Sequence, residues 1–395
     1  MKYDTTSMPL ELSFLIHACK TSNTKTSNTK KRDTHIKEML SYCTLDYQKL
    51  IELAYQHATL PLLYCTIKAL SPTHALVTLL KPYYISNTQK NIAMAVELQT
   101  ILSLLQKEHI EVLCFKGLAL SQMAYGDITL RQFGDLDLLI HTKDKYKAVA
   151  CLEAHHYTPE IILKAQNKKR FLDAVNVLGF YTPSQRLIEI HWELLSKNYA
   201  ISWDETALWH QKQTITLNQY PIETLDTTTT LLYLCAHASK HLFSRLSWLC
   251  DIDRTIQNHE IVWSQIIKEA KTVGILRIVQ LSLSLSHALL DTPLPPEIQN
   301  MIQNDTKVDT LTKKIIALHF STSHKKAKGF YVFKLLLDMR EGVASKFTFG
   351  YAALFAPKFN DFASLQLPKS LEFLYPFLRV FRLFFKYLPH SQHKY

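Results

Sequence analysis

The sequence predicts an α+β fold in which a small mixed β-sheet lies between an N-terminal and a C-terminal helical region. Leucine-rich segments with apolar residues at helical spacing dominate the chain, and glycine is scarce, with 8 residues among 395. Short apolar runs typical of strands are confined to roughly residues 110–220. The predicted division is an N-terminal helical region at 1–90, an α/β core at 91–220 and a C-terminal helical domain at 221–395.

The bulk composition is globular, and its charge favours anionic partners. Apolar residues make up 47% of the chain and charged residues 20%, and the net charge is +11. The seven cysteines contain no CxxC pair, which indicates neither a disulfide framework nor a zinc site and favours a cytoplasmic location. We expect no signal peptide and no membrane-spanning segment. Because the lysines are dispersed without an aromatic-basic stacking motif, we predict no specific nucleic-acid partner.

The first predicted helices lead to the first strand. Residues 45–70 have apolar residues at helical spacing, and Pro61 divides them into two helices. Asn91 is predicted to cap a further helix, with an apolar stripe over 92–105 that includes Ile92. The first strand is predicted at 110–115.

The core is predicted to continue as helix, strand, helix and a hairpin. The expected order is a helix over 118–125 that ends at Gly126, a strand over 133–141, a helix over 143–155, and strands over 175–182 and 186–194 that are joined by a turn at Pro183.

Two carboxylates lie two positions apart on the second strand. Asp135 and Asp137 alternate with Leu136 and Leu138, so both acidic side chains should point to the same face of the sheet. Such a pair can hold Mg²⁺ together with a substrate's phosphates, and there is room for two ions in a phosphoryl or nucleotidyl transfer. The alternative for an isolated D-x-D is a solvated strand end.

Cationic residues before the acids favour the phosphate interpretation. Lys116 and Gly117 lie where the first strand passes into a helix, and that turn offers a charge and free amides to a phosphate. Arg131 can fork onto phosphate oxygens. Its alternative is an ordinary salt bridge to Asp127 or Asp135.

A third acid is predicted on the last strand. Glu189, His191 and Glu193 share one face, and Glu189 is the candidate for a metal ligand or a general base toward an acceptor hydroxyl. The alternative interpretation, an acid on an exposed hairpin edge, suits Glu193 better than Glu189.

A later helix carries a row of basic residues. His237, Lys240, His241 and Arg245 follow helical spacing, and we predict that Lys240 and His241 contact a triphosphate. The alternative is a polar packing face between domains. Zinc is not predicted, because the glutamate of an HExxH motif is missing after His237.

Taken together, these segments resemble the bacterial family of uncharacterised nucleotidyltransferases, within the DNA polymerase β-like superfamily. The resemblance runs from about Leu45 and rests on Lys116-Gly117, Arg131, Asp135-Leu136-Asp137, Glu189-Ile190-His191-Trp192 and the segment 237–251. It implies a nucleotidyltransferase core whose sheet bears Asp135, Asp137 and Glu189 as Mg²⁺ ligands.

The implied reaction is the transfer of a nucleoside monophosphate from a nucleoside triphosphate, with release of pyrophosphate. The acceptor would be a hydroxyl on a sugar, lipid carrier, peptide or protein. Lys116 and Gly117 would form the phosphate-contacting turn, although the superfamily usually has a Gly-Ser or Gly-Gly turn closer to the acids.

Two other functions stay open at this point. One is a catalytically silent nucleotide-binding or scaffold protein. The other is a D-x-D glycosyltransferase, which normally needs several βα units before the acidic strand, whereas the chain before residue 110 is predicted to be helical.

The C-terminal segment 370–390 mixes aromatic and leucine side chains with Arg379, Arg382 and Lys386. It is too charged to span a membrane. The two interpretations are a terminal helix packed on the C-terminal bundle and a basic amphipathic helix that makes peripheral contact with an anionic membrane.

Overall fold

A five-stranded mixed sheet lies between two sets of helices, which confirms the predicted α+β class. The computed structural model describes residues 8–21, 27–162, 165–321, 329–357, 361–362 and 367–387. The strands of the sheet are β1 (Val112–Cys114), β2 (Asp135–Ile140), β3 (Thr158–Pro159), β4 (Val177–Tyr181) and β5 (Leu187–His191). Their order is β1-β2-β5-β4-β3, in which β2 and β5 pair in parallel and the other neighbours are antiparallel.

Helices come before, within and after the sheet. Those before it are α1 (Leu10–Cys19), α2 (Ser27–Tyr42), α3 (Tyr47–Gln56), α4 (Leu60–Leu70) and α5 (Ala75–Lys107). Those within the core are α6 (Gly117–Leu120), α7 (Lys145–Ala154), α8 (Ala165–Ala174) and α9 (Glu205–His210). Those after it are α10 (Thr227–Lys240), α11 (Leu246–Asn258), α12 (Trp263–Val273), α13 (Leu276–Leu290), α14 (Pro296–Asn304), α15 (Thr306–His319), α16 (Gly329–Asp338), α17 (Gly342–Phe355) and α18 (Tyr375–Tyr387).

A two-stranded hairpin that the sequence did not predict separates α9 from α10. Its strands are β6 (Gln213–Leu217) and β7 (Tyr220–Thr224). Along β6 only Leu217 is buried, so the strand has no continuous apolar run that would mark it in the sequence.

The main sheet is buried on both faces. Leu136 and Leu138 of β2 belong to a core formed with α5 and α7, whereas Leu139 points the other way into a core shared by helices from both ends of the chain. The N-terminal and C-terminal helices therefore pack as one helical body. The domain boundaries at 90 and 220 stay predictions, and α5 runs through the first of them.

The prediction that Asn91 caps a helix was wrong, because α5 continues through it from Ala75. Asn91 is completely buried, and its side-chain amide donates to the carbonyl oxygens of Ile128 (2.6 Å) and Arg131 (3.0 Å). Ile92, which was expected on the buried stripe, is half exposed. The helix stays continuous because packing decides its course, and the asparagine instead fastens the loop that leads to β2.

The C-terminal segment forms a short 3-10 turn at Lys369–Leu374 and then α18, and one face of α18 packs on the protein. Arg379 is buried and pairs with Asp361 at 3.1 Å. Phe377 and Phe381, in contrast, are exposed. None of the helices in the described residues is long and apolar enough to cross a membrane.

We predict that Asn91→Ala destabilises the protein by about 1–3 kcal/mol, because the Ile128 carbonyl loses the Asn91 donor and the Arg131 carbonyl keeps only its longer hydrogen bond from Asn87. Urea denaturation measures the change. The control is Gln89→Ala on the exposed side of α5, which should shift the free energy of unfolding by less than about 0.5 kcal/mol. Equal effects of the two substitutions would show that the Asn91 contacts contribute nothing.

Stability should fall as the pH is lowered from 6.5 toward 4. Burial in α1, followed by the nearby charge of Lys20, lowers the pKa of His17 from 6.5 to about 4, and its Nδ1 donates to the Ser13 carbonyl. The unfolded chain therefore binds a proton at a higher pH than the folded protein does, so stability is complete above pH 6.5 and declines below it.

His17→Gln should flatten this slope, by no more than about 3 kcal/mol across the window. Chemical denaturation at several pH values tests the expectation. A variant with the wild-type slope would contradict it.

Candidate functional site

The parallel pairing of β2 with β5 brings the three predicted acids to one face of the sheet. Asp137 lies opposite Glu189, and Asp135 lies opposite Leu187. Their neighbours in sequence, such as Leu136 and Ile188, point into the core on the other side. The predicted positions of the acids are therefore confirmed, while their chemical roles stay proposals.

Asp137 is the most deeply buried of these acids, with 3% of its surface exposed. Lys116 Nζ lies 2.5 Å from its Oδ1 atom, and His191 Nε2 lies 3.3 Å from the same oxygen. Burial alone would raise the pKa of Asp137, but Lys116 and His191 outweigh it and hold the pKa well below its usual range. The carboxylate is charged, and the ammonium group of Lys116 balances it, with the His191 ring as a second close partner.

His191 is a member of the site that was not predicted as a site residue. Its Nε2 atom lies 3.1 Å from Glu189 Oε2, so one ring nitrogen bridges Glu189 and Asp137. Burial would lower the pKa of His191, but the nearby carboxylates of Asp137 and Glu189 raise it above the ordinary value. The signal was present in the sequence, because His191 follows Glu189 by two positions and returns to the same face of β5.

Asp135 has a different environment at the first residue of β2. Burial, and then the charge of Asp137, raise the pKa of Asp135 to about 6. Lys90 of α5, which was also not predicted, donates to the Phe133 carbonyl just before β2. The two carboxylates on this strand thus differ in pKa, with Asp137 firmly ionised and Asp135 able to take up a proton as the pH falls toward 6.

Gly117 is required by the close approach of two backbone segments. Its φ is +51°, and a Cβ atom at this position would lie 3.3 Å from the backbone oxygen of Asp135. The glycine therefore lets the turn after β1 pack against the start of the acidic strand. Lys116 precedes it with an extended backbone, which leaves its ammonium group against Asp137.

Arg131 pairs with a residue that the sequence did not suggest. Its Nε and Nη2 atoms donate to the two carboxylate oxygens of Asp251 at 2.9 and 3.0 Å, and Asp251 is fully buried. Tyr125 donates to the same carboxylate at 2.7 Å. The salt-bridge alternative was right in kind, but the partner lies on α11 and is neither Asp127 nor Asp135. Contact of Arg131 with a phosphate stays a prediction.

Helix α10 carries the predicted basic residues but ends at Lys240. Arg245 lies beyond the helix, so the expected row of four on one helical face was wrong. Lys240 and His241 are open to a cavity within the protein. The surrounding protein and the charge of Lys240 lower the pKa of His241, so His241 would meet a phosphate as a neutral hydrogen-bonding group. The hydroxyl group of Tyr233 on the same helix lies 3.4 Å from His237 Nδ1.

The residues present fit a divalent cation. Asp137, Glu189 and His191 each offer a ligand atom within 4.8 Å of the others, whereas Asp135 is not part of that group. Oδ1 of buried Asp137 has cations nearby, but it receives no hydrogen bond of good geometry. Oxygen ligands suit Mg²⁺, so Asp137 and Glu189 are the best placed ligands and His191 is better suited to orienting them.

We predict that Gly117→Ala is more destabilising than Gly126→Ala. Both glycines have positive φ, so both substitutions strain the backbone by about 1 kcal/mol. Only at Gly117 does the added methyl group meet backbone, whereas nothing lies within 4 Å of a Cβ atom at Gly126. Urea denaturation of the two variants gives the comparison, and equal losses would refute the close-approach argument.

Comparison with known proteins places the chain in a family. No curated protein is significantly similar to it in sequence. Among solved structures, the lincomycin-bound lincosamide antibiotic adenylyltransferase LnuA aligns with 40% of this chain and 94% of its own, at 14% identity and a TM-score of 0.29. A TM-score this low supports neither a shared fold nor a shared substrate. The model of the uncharacterised nucleotidyltransferase family, in contrast, matches residues 44–291, which is more than half of the chain and spans every residue of the site described above. The protein therefore belongs to the uncharacterised nucleotidyltransferase family.

Proposed function

We propose that the protein transfers a nucleoside monophosphate from a nucleoside triphosphate to an acceptor hydroxyl and releases pyrophosphate. The observation that carries the proposal is the parallel register that places Glu189 opposite Asp137, beside Asp135 and with Lys116 in contact. The family supports nucleotidyl transfer in general. We also propose that the family is bacterial and belongs to the DNA polymerase β-like superfamily.

The proposed metal ligands are Asp135, Asp137 and Glu189, with room for two Mg²⁺ ions. Bound Mg²⁺ would neutralise charge on the triphosphate and on the leaving pyrophosphate. Lys116 balances Asp137 in the described structure, and we propose that its ammonium group moves to the phosphates when the acids hold a metal. Gly117 keeps the turn close to β2, which places the cation of Lys116 at the acids.

The chain's own residues suit the proton transfer that the reaction needs. The acceptor oxygen forms a bond to the α-phosphorus, and the bond between that phosphorus and the oxygen bridging to the β-phosphate breaks. The hydroxyl proton must pass to a base. The carboxylate oxygen of Glu189 that does not bind a metal is the proposed acceptor of that proton.

The alternatives differ in how well the structure supports them. The described residues before β1 form helices, so they contain no parallel sheet that could seat a nucleotide sugar, which disfavours the D-x-D glycosyltransferase. A catalytically silent nucleotide-binding protein shares the same acids, and only an experiment separates it from an enzyme.

The test uses triphosphates labelled at the α- or the γ-phosphate, Mg²⁺ and an extract that contains acceptors. We expect label transfer from the α-position and not from the γ-position, since γ-transfer would indicate a kinase. Asp137→Asn should reduce transfer by roughly 100-fold or more, because one metal ligand is lost. Glu193→Gln is the matched control, since Glu193 lies just beyond β5 and pairs with Lys197 at the surface.

Transfer that survives in Asp137→Asn would overturn the assigned site. Absence of transfer in every protein, together with Mg²⁺-dependent binding of the triphosphate, would identify the silent alternative. Circular dichroism of each variant checks that the fold is intact.

A further inference from the structure

A large cavity lies next to the acidic site, between the segment after β5 and the C-terminal helices. Its volume is about 590 Å³, which falls in the range of pockets for ligands of drug size. The wall contributed by α16, α17 and α18 is mostly apolar, with Phe333, Leu336, Phe349, Leu354 and Leu383.

Three polar side chains on this side of the cavity, Arg379, Asn198 and Tyr199, already have hydrogen-bond partners within the protein. Arg379 pairs with Asp361 and donates to the Ala353 carbonyl, and the Asn198 amide donates to the Ala352 carbonyl of α17. The Tyr199 hydroxyl is hydrogen bonded to Ser239 at 2.8 Å. A saccharide or peptide backbone in this cavity would lose its hydrogen bonds to water and gain few in return, which is costly. The walls therefore favour an apolar ligand body.

The opposite end of the cavity is polar and leads toward the acids. Lys240 and His241 line it at the end of α10. Two turns earlier on the same helix, the Tyr233 ring lies 5.2 Å from Phe115, whose ring contacts His191 at 5.1 Å. At 1.5 Å per residue, the seven residues from Tyr233 to Lys240 span about 10 Å. The polar end of the cavity therefore lies about 10 Å along α10 from the ring of Tyr233, which packs beside the acidic site.

We propose that this cavity binds an amphipathic acceptor, with an apolar tail against α16, α17 and α18 and a polar, hydroxyl-bearing head at Lys240 that reaches toward Asp137. The proposal rests on the proposed nucleotidyl transfer for the role of the ligand as acceptor. Binding of the amphiphile can be measured without any turnover.

The probe is 11-(dansylamino)undecanoic acid, a fluorescent amphiphile with an apolar chain and an anionic head, and dodecan-1-ol serves as competitor. We expect saturable binding of the probe to the full chain, displacement by dodecan-1-ol and no displacement by glucose. Ala353→Phe places a ring in the cavity and should weaken binding by roughly tenfold or more. The matched control is Ala344→Phe, which makes the same exchange on the exposed side of α17 and should bind as the wild type does.

A second pair of variants guards against a folding defect. Leu354→Asp alters a cavity residue that is 41% exposed, and Val343→Asp alters a residue on the same helix that is 84% exposed and lies outside the cavity. Only Leu354→Asp should weaken binding. No binding by the wild type, or equal binding by Ala353→Phe and Ala344→Phe, would overturn the cavity assignment.

The binding experiment and the transfer assay can fail independently of each other. Asp137→Asn should bind the probe as the wild type does, because Asp137 does not line the cavity. Loss of transfer with retained probe binding supports both proposals. Intact transfer by Asp137→Asn would refute the proposed function and leave the cavity proposal unaffected. Failure of the probe to bind to a protein that shows transfer activity would refute only the cavity proposal.

Discussion

Arg131 is the residue on which the rest of the structure depends. Its backbone carbonyl accepts hydrogen bonds from Asn87 and Asn91 of α5, and its guanidinium group forms a bidentate pair with Asp251 of α11. One residue thus joins a helix before the sheet, the loop that enters β2 and a helix after the sheet. Buried ion pairs contribute little net stability against apolar packing, but they disfavour other arrangements, because a displaced Arg131 would leave Asp251 buried and unpaired. The pairing of Arg131 with Asp251 therefore fixes the position of the loop that enters β2.

The acidic face is electrically balanced before any substrate arrives. Lys116 pairs with Asp137, and the His191 ring bridges Asp137 and Glu189, so these carboxylates can lie in a buried setting without a metal. A metal and a triphosphate would replace this balance with a new one in which the lysine gains phosphate partners. The difference in pKa between Asp135 and Asp137 follows from the same arrangement, since Asp137 contacts both Lys116 and His191.

Much of the core was predictable from the sequence, because alternation of apolar and acidic residues has a direct meaning in a strand. Asp135, Asp137 and Glu189 reached one face for that reason. The sequence did not predict ion pairs between residues far apart in the chain, such as Arg131 with Asp251. Asn91 was misplaced because a capping preference is worth about 1 kcal/mol and tertiary packing outweighs it. The cavity beside Lys240 depends on α16, α17 and α18, which begin about 90 to 135 residues further along the chain.

The register of β2 against β5 also decides where the chain can change length. An added residue inside β5 would turn Ile190 toward Asp137 and send Glu189 into the apolar core, since side chains alternate along a strand. The hairpin turn between β4 and β5 can accept an added residue without changing the register, because Gln185 is exposed there and already adopts a positive φ of 60°. Related chains that keep this site can therefore vary in length at the turn, while the spacing from Leu187 to His191 must stay constant.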